Sequence, residues 1–144
     1  MDRLSERRQP LFVYGTLLFP QILRALLGRV PDSAPAAAPG WRAAPLAAHP
    51  YPALVPASGT ASGRLLSELT EAECRVIDTY EGDGYDVRRL SLVGGEEGWG
   101  FVADGPVDAA PGDWDPDAFA AEHLDAYVEA CTALRARLLP SPPA

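Results

Sequence analysis

The segment Asp78-Thr79-Tyr80-Glu81-Gly82-Asp83-Gly84-Tyr85 gathers the residues best suited to proton transfer. Glu81 falls at the predicted C-terminus of a helix, where the backbone dipole is negative. Asp78 lies three residues before it and Asp83 two after. All three features disfavour a further negative charge, so the spacing predicts a raised pKa for Glu81. Such a carboxyl group suits general acid–base work near neutral pH. An exposed acidic turn is the alternative for the same residues. A second segment, Tyr14-Gly15-Thr16-Leu17, follows a short apolar run. A Gly directly after a strand lets the chain turn and aim consecutive N–H groups at one point, a nest for carboxylates and other anions. An ordinary tight turn is the alternative there.

Other chemistries lack their residues. There is no G-x-S-x-G elbow, H-E-x-x-H, C-x-x-C or Walker loop. All 12 basic residues are Arg, which excludes a Schiff-base lysine, a P-loop lysine and a Ser–Lys dyad. His49 and His123 stand far apart in sequence and are read as exposed or structurally bonded rather than as ligands or bases. Cys74 and Cys131 fall on apolar helix faces and are read as buried free thiols. Asp113, Asp115 and Asp117 alternate but lack the Gly and Glu of an EF-hand loop. An acid-rich helix N-terminus accounts for them. No metal and no cofactor is expected.

The bulk numbers narrow the class. A chain of 144 residues suits one domain, and 47% hydrophobic residues supply a core. A net charge of -8 argues against nucleic acid and anionic membrane surfaces as partners. The opening MDRLSERRQP has no apolar stretch behind it, so no signal peptide is read there. No apolar run approaches the roughly 18 residues of a membrane helix. A cytoplasmic protein is expected, and Ala, Pro and Arg without Lys suit a GC-rich, bacterial genome.

Several elements must position the two segments. Leu11–Tyr14 reads as a buried strand. Pro20 opens a helix with Ile22, Leu23, Leu26 and Leu27 at helical spacing, and Gly28 ends it. The Ala- and Pro-rich residues 31–50 read as irregular strands. Leu54–Val55 and Gly63–Leu69 read as two strands with a turn near Ala57–Gly59. Thr70 and Glu73 form a capping box for a helix running to Glu81, and Leu69 and Cys74 take the staple positions. On that helix Cys74, Ile77 and Glu81 share a face, and Gly82 is a left-handed stop. Tyr85–Val93 and Trp99–Ala103 form a hairpin around Gly94–Gly98. Asp115 caps a long helix that begins at Pro116 and carries Phe119, Leu124, Tyr127, Cys131, Leu134 and Leu138 in one stripe. The sum predicts an α+β fold, a small mixed, partly closed β-barrel flanked by helices. A flexible terminus over 1–10, one domain over 11–139 and a flexible tail over 140–144 complete the reading.

Leu11-Phe12-Val13-Tyr14-Gly15-Thr16-Leu17 resembles the opening strand and loop of the γ-glutamyl cyclotransferase-like superfamily. Asp78-Thr79-Tyr80-Glu81-Gly82, followed by Tyr85, is similar to its acidic helix end. Tyr51-Pro52-Ala53-Leu54 and Gly63 resemble its middle strands, and Trp114-Asp115 with the helix carrying His123 resembles the plant avirulence-induced-gene branch. The likeness covers about residues 11–135. It implies an enzyme in which the α-amine of a γ-glutamyl amine, amino acid or peptide attacks its own γ-carbonyl, releasing 5-oxoproline and a free amine. The nucleophile then belongs to the substrate, and tethering supplies a large effective molarity. By the same likeness Glu81 is the general acid–base, and Tyr14, Gly15, Thr16, Leu17, Tyr85 and Phe101 bind the substrate.

Two positions depart from the family pattern. Val87 stands where many relatives carry Arg, with Arg88 one step on and facing the other way. Phe101 stands where relatives often carry Tyr, so a hydroxyl is lost. A non-catalytic small-molecule binding or regulatory protein on the same fold remains the alternative, and neither the amine partner nor the oligomeric state is legible in the sequence.

Overall fold

The structure is a computed structural model that describes residues 10–82 and 84–138. The expected flexible ends therefore lie outside the described residues except for Pro10, as does Asp83. Five strands form one sheet: β1 (Leu11–Val13), β2 (Ser33–Leu46), β3 (His49–Leu66), β4 (Tyr85–Ser91) and β5 (Glu97–Ala103). Their order is β2-β3-β1-β5-β4. β1 runs antiparallel to β3 and parallel to β5, so the sheet is mixed. Just past β4, the Val93 N–H donates to the Ala37 carbonyl on β2 at 2.9 Å. The two edges of the sheet thus meet, and the sheet curls into a partly closed barrel.

Alternation along β1 divides the core. Leu11 and Val13 join one buried cluster with Ile22, Leu26, Ile77, Phe119 and Cys131, from the helices α1 (Pro20–Leu27), α2 (Glu71–Glu81), α3 (Pro116–Glu122) and α4 (Leu124–Leu138). Phe12 and Tyr14 join a second cluster with Ala38, Leu54, Ala61, Leu90 and Val102 inside the curl. Gly63 is required where β3 pairs with β1, because a Cβ there would run into the Val13 carbonyl oxygen.

Several local readings change. Residues 33–46 form one long strand rather than irregular pieces. Its prolines Pro35, Pro39 and Pro45 are tolerated because β2 is an edge strand, where a missing N–H costs no ladder bond. The two strands expected over 54–69 are one continuous strand that ends at Leu66, and the expected turn at Ala57–Gly59 is a register shift opposite Gly40. The single long helix after Pro116 is two, broken at His123. His123 ends α3 by donating its N–H to Phe119, and its carbonyl accepts from Tyr127 in α4. Gly28 ends α1 in the left-handed region as expected. Gly82 ends α2 with a positive φ of 80, but its ψ of −169 lies outside the left-handed helical region. The hairpin, the Asp115 cap and the Thr70–Glu73 capping box form as read. Among the described residues no helix is long and apolar enough to cross a membrane.

Candidate active site

β1 delivers Tyr14 and Gly15 to a 3-10 turn over Thr16–Leu18. Thr16 and Leu17 open that turn, and N–H groups at such positions have no partner within the turn. α2 ends beside it and supplies Tyr80 and Glu81. Between them lies a cavity of about 190 Å³. All the residues that the family resemblance assigns to the site line it: Glu81, Tyr14, Gly15, Thr16, Leu17, Tyr85 and Phe101. The lining also takes in Tyr51 and Pro52 from β3 and Tyr127 from α4. Every one of the five tyrosines in the chain therefore faces this one space.

Three tyrosine hydroxyls are tied to the wall. Tyr14 donates to the Phe101 carbonyl, and Tyr85 donates to the Pro52 carbonyl at 2.7 Å. The Tyr80 hydroxyl and Thr16 Oγ1 share a hydrogen bond of 2.6 Å. Burial pushes all three phenols well above their ordinary pKa, and the negative charge of Glu81 pushes them further. They stay neutral across the working pH range. The same effect places the Glu81 carboxylate within electrostatic reach of three ring hydroxyls. Glu81 is the one charged side chain among the described residues that line the cavity. An α-ammonium group suits such a space, with a single negative charge set among neutral hydroxyls.

Gly15 is needed for a reason the sequence does not give. Its φ is −127, so positive φ is not the constraint. A Cβ there would lie 2.8 Å from Pro52 Cγ and 3.0 Å from Cδ. Close packing of the turn on β3 therefore demands the glycine. Phe101 is buried where it lines the cavity, and its carbonyl accepts from the Tyr14 hydroxyl. Val87 is buried, whereas Arg88 is exposed and lies 3.8 Å from Asp86, on the opposite strand face.

Sequence reasoning missed Tyr51, Tyr80 and Tyr127 as cavity residues. Tyr51 was hidden in a strand pattern and Tyr127 in the apolar stripe of a helix. Tyr80 precedes Glu81 directly, which was a usable signal. Cys74 and Cys131 are buried free thiols. Burial pushes the Cys131 thiol up to about 11, which makes it a poor nucleophile. His49 is exposed and stacks on Tyr51, and His123 packs on Phe119. Neither lines this cavity. Among the described residues no cluster of His, Cys, Asp and Glu has the arrangement of a metal site.

Residues 11–116 match the family described as gamma-glutamyl cyclotransferase, AIG2-like. The chain is 27% identical over 141 residues to AIG2-like protein B of Arabidopsis thaliana, covering 92% of this chain and 81% of that one. It is 36% identical to AIG2-like protein D of the same plant, but over 83 residues, 57% of this chain and 55% of the relative. A solution structure from Arabidopsis thaliana superposes with a TM-score of 0.63 at 27% identity, covering 91% of this chain and 84% of that one. A crystal structure of an uncharacterised protein from Pyrococcus horikoshii has a TM-score of 0.57 at 19% identity, over 79% of this chain and 96% of the other, and it supports the fold alone.

Proposed function

We propose that this chain, which belongs to the gamma-glutamyl cyclotransferase, AIG2-like family, converts a γ-glutamyl compound into 5-oxoproline and a free amine. The observation that carries the reading is Glu81 standing among neutral tyrosines, opposite the Thr16–Leu17 turn, in one small cavity. The substrate's α-ammonium is held beside the Glu81 carboxylate, and its α-carboxylate or γ-carbonyl oxygen meets the N–H groups of Thr16 and Leu17. Glu81 accepts a proton from the α-ammonium, whose ordinary pKa is about 8. The freed nitrogen lone pair attacks the γ-carbonyl carbon, and the bond from that carbon to the amide nitrogen breaks. Two protons pass in all from the α-nitrogen to the leaving nitrogen, with Glu81 carrying each in turn. The α-ammonium becomes the lactam N–H, and the amide N–H becomes a free ammonium, so atoms and charge balance. The bent substrate supplies its own nucleophile, and the cavity supplies orientation and a proton carrier.

The test is incubation of the purified chain with γ-glutamyl amines, amino acids and peptides, with 5-oxoproline followed by mass spectrometry. Release from at least one compound is expected. Failure with every compound overturns the reading.

A further inference from the structure

We propose that the hydroxyls of Tyr51 and Tyr127 hold the α-carboxylate of the substrate, which leaves the Thr16–Leu17 turn to the γ-carbonyl oxygen. This rests on the γ-glutamyl reading above. Of the five tyrosines that line the cavity, Tyr14, Tyr80 and Tyr85 use their hydroxyls on the protein itself. The hydroxyls of Tyr51 and Tyr127 have no hydrogen-bond partner among the described residues. Both residues are half-buried. A hydroxyl in a cavity wall without a protein partner is a donor open to whatever fills the cavity.

Tyr127 comes from α4, outside the residues 11–116 that match the family. The segment before it braces both rings. Trp114 Nε1 donates at 2.8 Å to the carbonyl of Pro50, the neighbour of Tyr51 in β3. Trp114 packs on Phe119 with ring centroids 5.5 Å apart, and Phe119 meets Tyr127 edge-on at 4.9 Å. One run of aromatic contacts therefore fixes Tyr127 and the start of the strand that carries Tyr51. Burial raises the pKa of Tyr127, and Tyr51 raises it further, so the two phenols are neighbours. Glu81 acts on Tyr14, Tyr80 and Tyr85 but is not among the influences on Tyr127.

The charges of the substrate decide which group goes where. Its α-carbon carries an ammonium and a carboxylate that diverge from one atom. The ammonium goes to Glu81, the one charged side chain among the described residues of the lining. Repulsion then drives the carboxylate away from Glu81. No described arginine lines the cavity to receive it, so neutral donors must. Tyr51 and Tyr127 supply two, and hydroxyl bonds to a carboxylate are short and charge-assisted. The γ-carbonyl oxygen, where negative charge develops during attack, is left to the fixed backbone donors of the turn.

The test compares 5-oxoproline with 2-pyrrolidinone, the same lactam without the carboxylate, by NMR titration. Tyr127→Phe keeps the ring on Phe119 and removes only the hydroxyl. It should weaken 5-oxoproline by about tenfold and 2-pyrrolidinone by less than about twofold. Tyr51→Phe should act in the same way, and it carries the test if Tyr127→Phe fails to fold. In turnover of a γ-glutamyl compound, each variant should raise KM more than it lowers kcat, because the carboxylate is held alike before and during the reaction. Equal losses for the two lactams would show that the rings only support the wall, and would overturn the carboxylate site. So would unchanged 5-oxoproline binding in both variants, or a wild-type chain that binds no 5-oxoproline. A wild-type chain that releases 5-oxoproline while both variants bind it normally would overturn this site alone. A loss confined to 5-oxoproline, in a chain that turns over no γ-glutamyl compound, would sink the activity and leave the carboxylate site standing.

Discussion

Glu73 and Glu81 are two carboxylates on one helix, eight residues apart, with opposite surroundings. Glu73 lies in the first turn of α2. It accepts from Arg29 through both oxygens at 2.7 Å and from the Thr70 N–H at 2.9 Å. Burial works against its charge, but these donors outweigh burial, and its pKa is lowered. Glu81 ends the same helix in a cavity wall built from tyrosines. One carboxylate is locked as a structural anion. The other lines the cavity where the proposed reaction takes place. Charge and helix membership do not separate them; their surroundings do, an arginine against Glu73 and a wall of tyrosines beside Glu81.

The largest break in this comparison is Glu81→Gln. Gln keeps the shape and hydrogen-bonding reach but cannot carry a proton. Steady-state 5-oxoproline release should fall about 10²-fold or more. The midpoint of thermal unfolding should stay close to wild type, because Glu81 is only half-buried. Near-wild-type turnover would remove Glu81 from the mechanism.

Gly15→Val comes next. A branched Cβ at Gly15 meets Pro52 at about the position the ring already fills, so the turn must shift and carry the N–H groups of Thr16 and Leu17 with it. Binding of 5-oxoproline, measured by calorimetry, should drop below detection while circular dichroism still reports a folded chain. A folded Gly15→Val chain that binds normally would show that the turn does not hold the ligand.

What was legible in the sequence follows the range of the interactions involved. The capping box of α2 joins residues three apart, Gly28 ends a helix locally, and Asp115 caps by a short contact, so each is written in neighbouring residues. β2 was obscured because prolines normally argue against a strand, and only its place at the sheet edge makes Pro35, Pro39 and Pro45 acceptable. The break at His123 interrupts an apolar stripe that continues on both sides, which periodicity reads as one helix. The Glu81 and Tyr14–Leu17 segments stood out because each carries its chemistry within a few residues. Tyr51 and Tyr127 did not, since their shared cavity exists only once β3 and α4 have packed.

Glu73→Gln sharpens the other half of the comparison. It keeps a capping acceptor but loses the charge that holds Arg29. Stability at neutral pH should fall by about 1–2 kcal/mol in chemical denaturation. The folded pKa of Glu73 is depressed, so its stabilisation is present above the unfolded carboxylate value and is lost as pH falls through the folded value. The gap between wild type and Glu73→Gln should therefore close in acid. Activity per folded molecule should be unchanged. A gap that stays constant with pH would mean that the charge of Glu73 contributes nothing.

The smallest effect concerns how the two segments are joined. Thr16 Oγ1 and the Tyr80 hydroxyl share a 2.6 Å hydrogen bond that ties the turn after β1 to the end of α2. The turn offers its backbone to the ligand, so Thr16→Val should leave the N–H donors in place and weaken binding only slightly. Tyr80→Phe deletes the other end of the same bond and should weaken it to a similar degree. Each single variant should lose about 1 kcal/mol of 5-oxoproline binding or less. The double variant should lose little more than either single one, because the second substitution removes a bond already gone. Calorimetry on all four proteins measures the coupling. Fully additive losses would mean that the two hydroxyls act on the ligand separately, and that the turn is held to α2 by packing rather than by this bond.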